Sequence, residues 1–170
     1  MTLSHPEPIS PAHNLQPFDC GNEELNDWLK AHALASHRSE SARTYVTHDA
    51  GVVMGFYSIA VGSVRPHEAP DRVGTGLGRH DVPVAILARL GVDVTVQGRG
   101  VGRGLVKDSL LRVAGAADLI GIRALLVHMK TPDLKAFYGR FGFEDSPMDR
   151  NQVFLLMKDL RKALRATGST

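Results

Sequence analysis

The residues whose spacing carries the most chemistry are Gln97-Gly98-Arg99-Gly100-Val101-Gly102-Arg103-Gly104. They follow an apolar, strand-like stretch and open into a run with helical periodicity. Glycines let the backbone come close to a ligand and adopt positive φ. A helix that begins there offers N–H groups without intrahelical partners, and the positive end of its dipole, to an anion. The chemistry suited to such a turn is the cradling of a diphosphate. A Rossmann site competes, but it needs an acidic residue about 20 positions on, and Asp118 falls where the helix gives way to a loop. The Lys and Ser/Thr that end a P-loop are lacking. On this segment alone, an ordinary tight connection stays open. A second cluster, Phe137-Tyr138-Gly139-Arg140-Phe141-Gly142-Phe143, sets a phenol among core-type aromatics. The lone Cys20 could in principle carry an acyl group. It sits among cap-like residues with no base beside it, so a structural role is expected. The eight histidines show no H-x-x-x-H spacing with a nearby carboxylate, and no metal site is expected. His128 reads as a satisfied core histidine.

These residues need a scaffold, and 170 residues with 43% hydrophobic content supply one packed domain. Residues 1–17, rich in Pro, His and Ser, read as an extended lead-in. Asp19 or Asn22 caps a helix from near Glu23, with Leu25, Trp28, Leu29 and Ala33 on its apolar face. Thr44–Thr47 and Val52–Val64 read as strands joined at Asp49–Ala50–Gly51. Residues 65–81 form a long loop of Gly, Pro, Arg and His, a length that tends to be functional or mobile. Val82–Val96 is predicted as strand, Gly98–Gly104 as turn and Leu105–Ala117 as helix. Ile122–Met129 is predicted as a buried, central strand, Asp133–Arg140 as a short helix and Val153–Met157 as a last strand. A basic helix follows around Lys158–Arg165. Alternating strands and helices imply an α/β fold, a mixed central sheet flanked by helices. The domain is taken as residues 18–160, with 161–170 as a tail. One cysteine suits a reducing compartment, no apolar run spans a bilayer and no signal peptide is seen, so the cytoplasm is expected. A net charge of +2, with sequence pI near 8.9, is not the footprint of a protein that lives on nucleic acid.

Gln97-Gly98-Arg99-Gly100-Val101-Gly102 matches the Q/R-x-x-G-x-G/A pattern, and Phe137, Tyr138, Gly142 and Phe143 match F-Y-x-x-x-G-F, in the order found in the GNAT acetyltransferase superfamily. The chain resembles that superfamily. The likeness narrows through Phe18–Leu29, Thr44-Tyr45-Val46, Gly55-Phe56-Tyr57-Ser58 and Leu87–Asp93 to the TacT-like GNAT toxins of type II toxin–antitoxin modules. It covers about Phe18 to Leu160.

The resemblance implies the GNAT (acyl-CoA N-acyltransferase) fold and acetyl-CoA as donor, with transfer to the α-amino group of aminoacyl-tRNA and a block of translation. It also implies a ribbon-helix-helix antitoxin, contact with DNA only through that antitoxin, a homodimer and no membrane. By the same resemblance Leu90, Gly91 and Val92 hold the pantetheine arm, the Val92 N–H polarises the thioester, and Gln97, Gly98, Arg99, Gly100, Val101, Gly102 and Arg103 cradle the diphosphate. Phe137 and Tyr138 line the cofactor, and Tyr138 acts as general acid. Direct transfer is expected rather than an acyl-Cys20 route. No general base is assigned; water relays or bulk solvent can take the proton. Thr131 stands where an asparagine often precedes the F-Y segment. Arg38, Arg43, Arg65, Arg72, Arg79 and Arg89 are candidate phosphate contacts for tRNA. The alternatives are an acetyltransferase for a protein N-terminus, polyamine or other small amine, and a binding module that joins an antitoxin in repression.

Overall fold

The computed structural model describes residues 1–166. In chain order the elements are β1 (Glu7–Pro8), α1 (Glu23–Ala31), α2 (Ala33–Arg38), β2 (Arg43–Asp49), β3 (Val52–Val64), α3 (Asp71–Gly74), β4 (Val82–Val92), α4 (Val101–Ala117), β5 (Ala124–His128), α5 (Lys135–Gly139), β6 (Glu144–Asp145), β7 (Gln152–Leu156) and α6 (Met157–Ala166). The strands run β1-β2-β3-β4-β5-β7-β6 in a mixed seven-stranded sheet, with β4 and β5 parallel. The chain divides into two compact units, 1–60 with 88–109, and 61–87 with 110–170.

In the first unit β1, β2 and β3 are antiparallel neighbours. Ala50 and Gly51 both take positive φ, 49° and 89°, between β2 and β3. That is the two-residue turn whose twist matches the flanking strands. The Asn22 side chain caps α1 by accepting from the Leu25 N–H at 3.1 Å, and Glu23 and Glu24 favour the positive helix end. Leu25 and Leu29 carry its buried face onto Phe18, Val46, Val53 and Phe56. Gly55 is tightly packed, since a Cβ there would lie 3.1 Å from both Leu105 and Thr47 side chains. α4 therefore presses on the Gly55 side of β3, and Phe56, one residue on, faces α1. The lead-in is extended as expected, and it is also paired: β1 extends the sheet and Ile9 is buried.

In the second unit β5 lies between β4 and β7, buried from Ala124 to Val127. Its core joins Ala69, Val73, Val82, Val84, Ala124, Leu126, Phe154 and Leu156. The 65–81 loop holds a 3-10 turn at Pro66–Glu68 as well as α3. The Arg123 Nε donates to the Val73 carbonyl at 2.9 Å, and its Nη2 to Thr75 and Arg72 carbonyls at 3.0 and 3.3 Å. The amphipathic α6 buries Met157, Leu160 and Leu164. Part of the expected 161–170 tail, residues 167–170, lies outside the described residues.

Two boundaries move by four residues. The expected strand 82–96 ends at Val92, where Asp93 turns the chain into a 3-10 helix, Val94–Val96. The helix expected from Leu105 begins at Val101, because Gly102 and Gly104 are accommodated in the first turn.

Candidate active site

The cradle belongs to the first unit. β4 delivers Leu90, Gly91 and Val92, and a braced bend carries the chain to α4. The buried Asp93 carboxylate accepts from the Thr95 hydroxyl at 2.7 Å, the Thr95 N–H at 3.0 Å and the Asp19 N–H at 3.0 Å. Burial pushes Asp93 up, but these hydrogen bonds outweigh it and hold the carboxyl below its ordinary value. The Val94 N–H returns a bond to the Asp19 carbonyl at 2.8 Å. Gly91 is confined: a Cβ would lie 3.0 Å from the Phe56 ring and 3.3 Å from Cys20 Sγ. Any larger residue would force Phe56 or Cys20 to shift.

Gly98 and Gly100 take φ of 78° and 83°, which L side chains adopt only under strain, and a Cβ on Gly98, Gly100 or Gly104 would meet nothing within 4 Å. The glycines are needed for conformation and leave the mouth of α4 open. The first intrahelical bond runs from the Gly104 N–H to the Gly100 carbonyl at 3.0 Å. The amides of Val101, Gly102 and Arg103 thus precede the helical ladder and point out of its N-terminus. Arg99 and Arg103 are exposed beside them. An open mouth, amides in a row and flanking guanidinium groups fit a diphosphate. The Gln97 Nε2 donates to the Val92 carbonyl at 2.9 Å and the Cys20 carbonyl at 3.2 Å. It braces the strand end on which the cradle depends.

Tyr138 belongs to the second unit. It is only 4% exposed, and its ring meets Phe137 and Phe143 edge to face at 5.0 and 5.6 Å. Burial pushes its phenol well above the ordinary tyrosine value. At neutral pH the side chain is an uncharged O–H donor. Gly142, at φ 98°, turns the chain after α5 into Phe143.

A family model for the acetyltransferase (GNAT) domain matches residues 40–145. The chain belongs to the GNAT acetyltransferases. It is 45% identical over 158 residues to a tRNA-acetylating toxin of Mycobacterium tuberculosis, covering 93% of this chain and 95% of that one. A structure of AtaT complexed with acetyl-methionyl-tRNAfMet superposes with a TM-score of 0.86 at 26% identity, covering 95% of this chain and 98% of that one. A mutant AtaT toxin bound to acetyl-CoA and to the C-terminus of the antitoxin AtaR gives 0.81 at 26% identity, covering 94% and 96%.

In this GNAT acetyltransferase the remaining candidates separate. Burial pushes the Cys20 thiol up, and its Sγ donates to the Asn22 carbonyl at 3.6 Å, so it stays a thiol and a poor nucleophile. His128 corrects the expectation of a core histidine: it is exposed at the end of β5, with Gln152 Nε2 3.3 Å from its Nδ1, because the strand's buried run stops at Val127. Thr131 makes no side-chain cap bond. Arg38, Arg65 and Arg79 are exposed. Arg43 donates to the His37 carbonyl at 3.1 Å and lies 3.3 Å from Glu40. Arg72 is held by Asp159 at 2.9 Å and Glu144 at 3.3 Å, so its guanidinium ties α3 to α6 and β6. Arg38, Arg43 and Arg89 belong to the first unit, Arg65, Arg72 and Arg79 to the second. No spacing in the chain announces that Glu7, His13 and His48 converge, with Glu7 Oε1 2.8 Å and 2.6 Å from the two Nε2 atoms. Each Nδ1 accepts a backbone N–H, from Ser10 and from Gly51, both at 3.0 Å. Each Nε2 therefore carries the proton and donates to Glu7, which leaves no lone pair there for a metal.

Proposed function

We propose that this GNAT acetyltransferase is a toxin that transfers the acetyl group of acetyl-CoA to the α-amino group of aminoacyl-tRNA and so blocks translation. The observation that carries the reading is the open N-terminus of α4, with its two left-handed glycines and row of free amides, in a chain 45% identical to a tRNA-acetylating toxin. Acetyl-CoA supplies an activated thioester. The amides of Val101, Gly102 and Arg103 would hold its diphosphate, with Arg99 and Arg103 adding charge. The backbone of Leu90–Val92 would align the pantetheine arm, and the Val92 N–H would bond the carbonyl oxygen as negative charge develops. One such donor is worth about 2.7–4 kcal/mol in a reaction of this kind. Holding two reactants in line contributes roughly 7–11 kcal/mol, so positioning outweighs any single side chain. Phe137 would pack on the cofactor, and Tyr138, kept protonated by burial, would give its proton to the departing thiolate. The α-amine of an aminoacyl ester is less basic than lysine, and water suffices to take its proton.

By the same reading the chain pairs with a ribbon-helix-helix antitoxin, meets operator DNA through it and acts as a homodimer in the cytoplasm. No helix of the described residues is long and apolar enough to cross a membrane. The test supplies radiolabelled acetyl-CoA to the purified protein with bulk charged tRNA and, separately, deacylated tRNA. Label fixed in the charged sample alone is the expected result; label in neither overturns the reading.

A further inference from the structure

Arg89 stands apart from the other basic residues of the first unit. It is half-buried on β4, and its guanidinium carbon lies 4.1 Å from the centroid of the Trp28 ring. Trp28, on α1, is itself stacked on Phe56, with rings 6.2 Å apart and 16° from parallel. Among the described residues Arg89 makes no hydrogen bond and no ion pair; Glu24 acts on it only at longer range. Arg43 and Arg72, by contrast, are both engaged with carboxylates. A guanidinium partly withdrawn from water, laid on an indole and left with all five N–H donors free is an unusual arrangement. Contact with the indole face restrains the guanidinium and leaves its donors available, and such a fork can grip a phosphate bidentately.

Its place on the strand sharpens the assignment. Arg89 and Gly91 point to the same side of β4, and Gly91 is clamped beneath Phe56 and Cys20, so the base of Arg89 is fixed. Val92 lies three strand residues further on, roughly 10 Å away. In an aminoacyl-tRNA the reacting amine and the phosphodiester of the terminal nucleotide are separated by one acyl unit and one ribose, a span of the same order.

We infer that Arg89, held by Trp28, binds the phosphodiester on the 5′ side of the aminoacylated 3′-terminal nucleotide and so sets the acceptor end in register with the acyl group. This rests on the aminoacyl-tRNA reading and gives it a specificity determinant: the enzyme would recognise an amine by the phosphate one nucleotide unit away. Trp28 is a positioning residue, acting through Arg89.

The test compares two acceptors, bulk charged tRNA and an aminoacyl-adenosine, which carries the same ester but no phosphate. Variants are Arg89→Gln, Arg89→Lys and Trp28→Phe, each checked for acetyl-CoA binding by calorimetry. For Arg89→Gln, KM for charged tRNA should rise about tenfold with kcat little changed, and the dependence of log KM on log salt should lose a slope of about one. Activity on aminoacyl-adenosine should match the parent enzyme. Arg89→Lys should recover only part of the KM, because it keeps the charge and loses the fork. Trp28→Phe, which retains an aromatic face, should fall between the parent and Arg89→Gln. An unchanged KM and salt slope in Arg89→Gln, or equal losses on both acceptors, overturns the inference and leaves the toxin reading standing. If the parent enzyme labels neither acceptor, the toxin reading falls and takes this inference with it.

Discussion

The bend from Val92 to Gly104 and the segment from Phe137 to Phe143 solve opposite problems. The mouth of α4 is made of backbone and open space: its glycines carry no side chain into it, and the donors it offers are amides. The aromatic segment packs its rings against one another, and its one hydroxyl sits on a residue 4% exposed. A bound anion needs many donors and access to solvent, whereas a retained proton needs burial. At the mouth of α4 the first region tolerates substitution where φ is ordinary and fails where it is left-handed. The second tolerates backbone adjustment and fails on the loss of a single oxygen.

Removing that oxygen is the largest expected effect. Tyr138→Phe should lower kcat by about 10²–10⁴-fold, the usual worth of a general acid, with acetyl-CoA affinity by calorimetry unchanged. Full activity in that variant would show that the ring and not the hydroxyl matters, and the contrast between the regions would collapse. The raised phenol adds a pH signature. The folded state holds this proton more tightly than the unfolded chain, so its stabilising effect is complete below the ordinary tyrosine value of about 10 and is lost as pH rises beyond it. Chemical denaturation between pH 9 and 11 (chosen to bracket that value) should show the parent losing stability more steeply than Tyr138→Phe.

The next effect lies in the cradle. Gly100→Val places a β-branched side chain at φ 83°, a conformation that costs an L-residue about 1–2 kcal/mol. The folded variant should lose about that much stability, and its acetyl-CoA affinity should weaken about tenfold besides. An affinity equal to the parent's in the folded variant would mean that the turn is a structural element rather than a ligand cradle.

Smallest is the brace beneath the cradle. Asp93→Asn should cost about 1–2 kcal/mol at neutral pH, the scale of hydrogen bonds to a charged group. Because the folded state depresses the Asp93 carboxyl, its contribution is present above the ordinary aspartate value and lost as pH falls through the folded one. The gap between parent and variant in urea melts should therefore close in acid. A gap that stays constant down to pH 3 (just under the ordinary aspartate value of about 3.9) would remove the carboxylate from the account.

Much of the site was legible because its signals are local. Gln97–Gly102 and the Phe137–Phe143 cluster lie within short windows, and the GNAT resemblance they carry extends to the fold. What escaped was held by long-range contacts. Nothing near Asp93 announces that the Asp19 amide, 74 residues away, completes its bonding, or that Gln97 reaches Cys20 across 77 residues. Gln97 reads as a cofactor ligand from its motif position, and its exposed side chain also bonds the Val92 and Cys20 carbonyls. β1 has two residues and no periodicity to detect, and α2 follows α1 so closely that their patterns merge. Gly102 and Gly104 delayed the expected start of α4, since glycine is a poor helix former and only the demand for an open surface explains it there. The contact of Arg89 with Trp28 joins residues 61 positions apart, so the sequence alone marks Arg89 only as one of six candidate phosphate contacts.

Arg123 gathers the carbonyls of Arg72, Val73 and Thr75 onto one guanidinium. One side chain on the way into β5 thereby moors the 65–75 half of the 65–81 connection, while the remainder rests on the core through Leu77. Beyond Thr75, Gly76 and Gly78 turn through open space, where a Cβ would touch nothing within 4 Å. Insertions, deletions and protease cuts should accumulate from Gly76 onward and be rare before it.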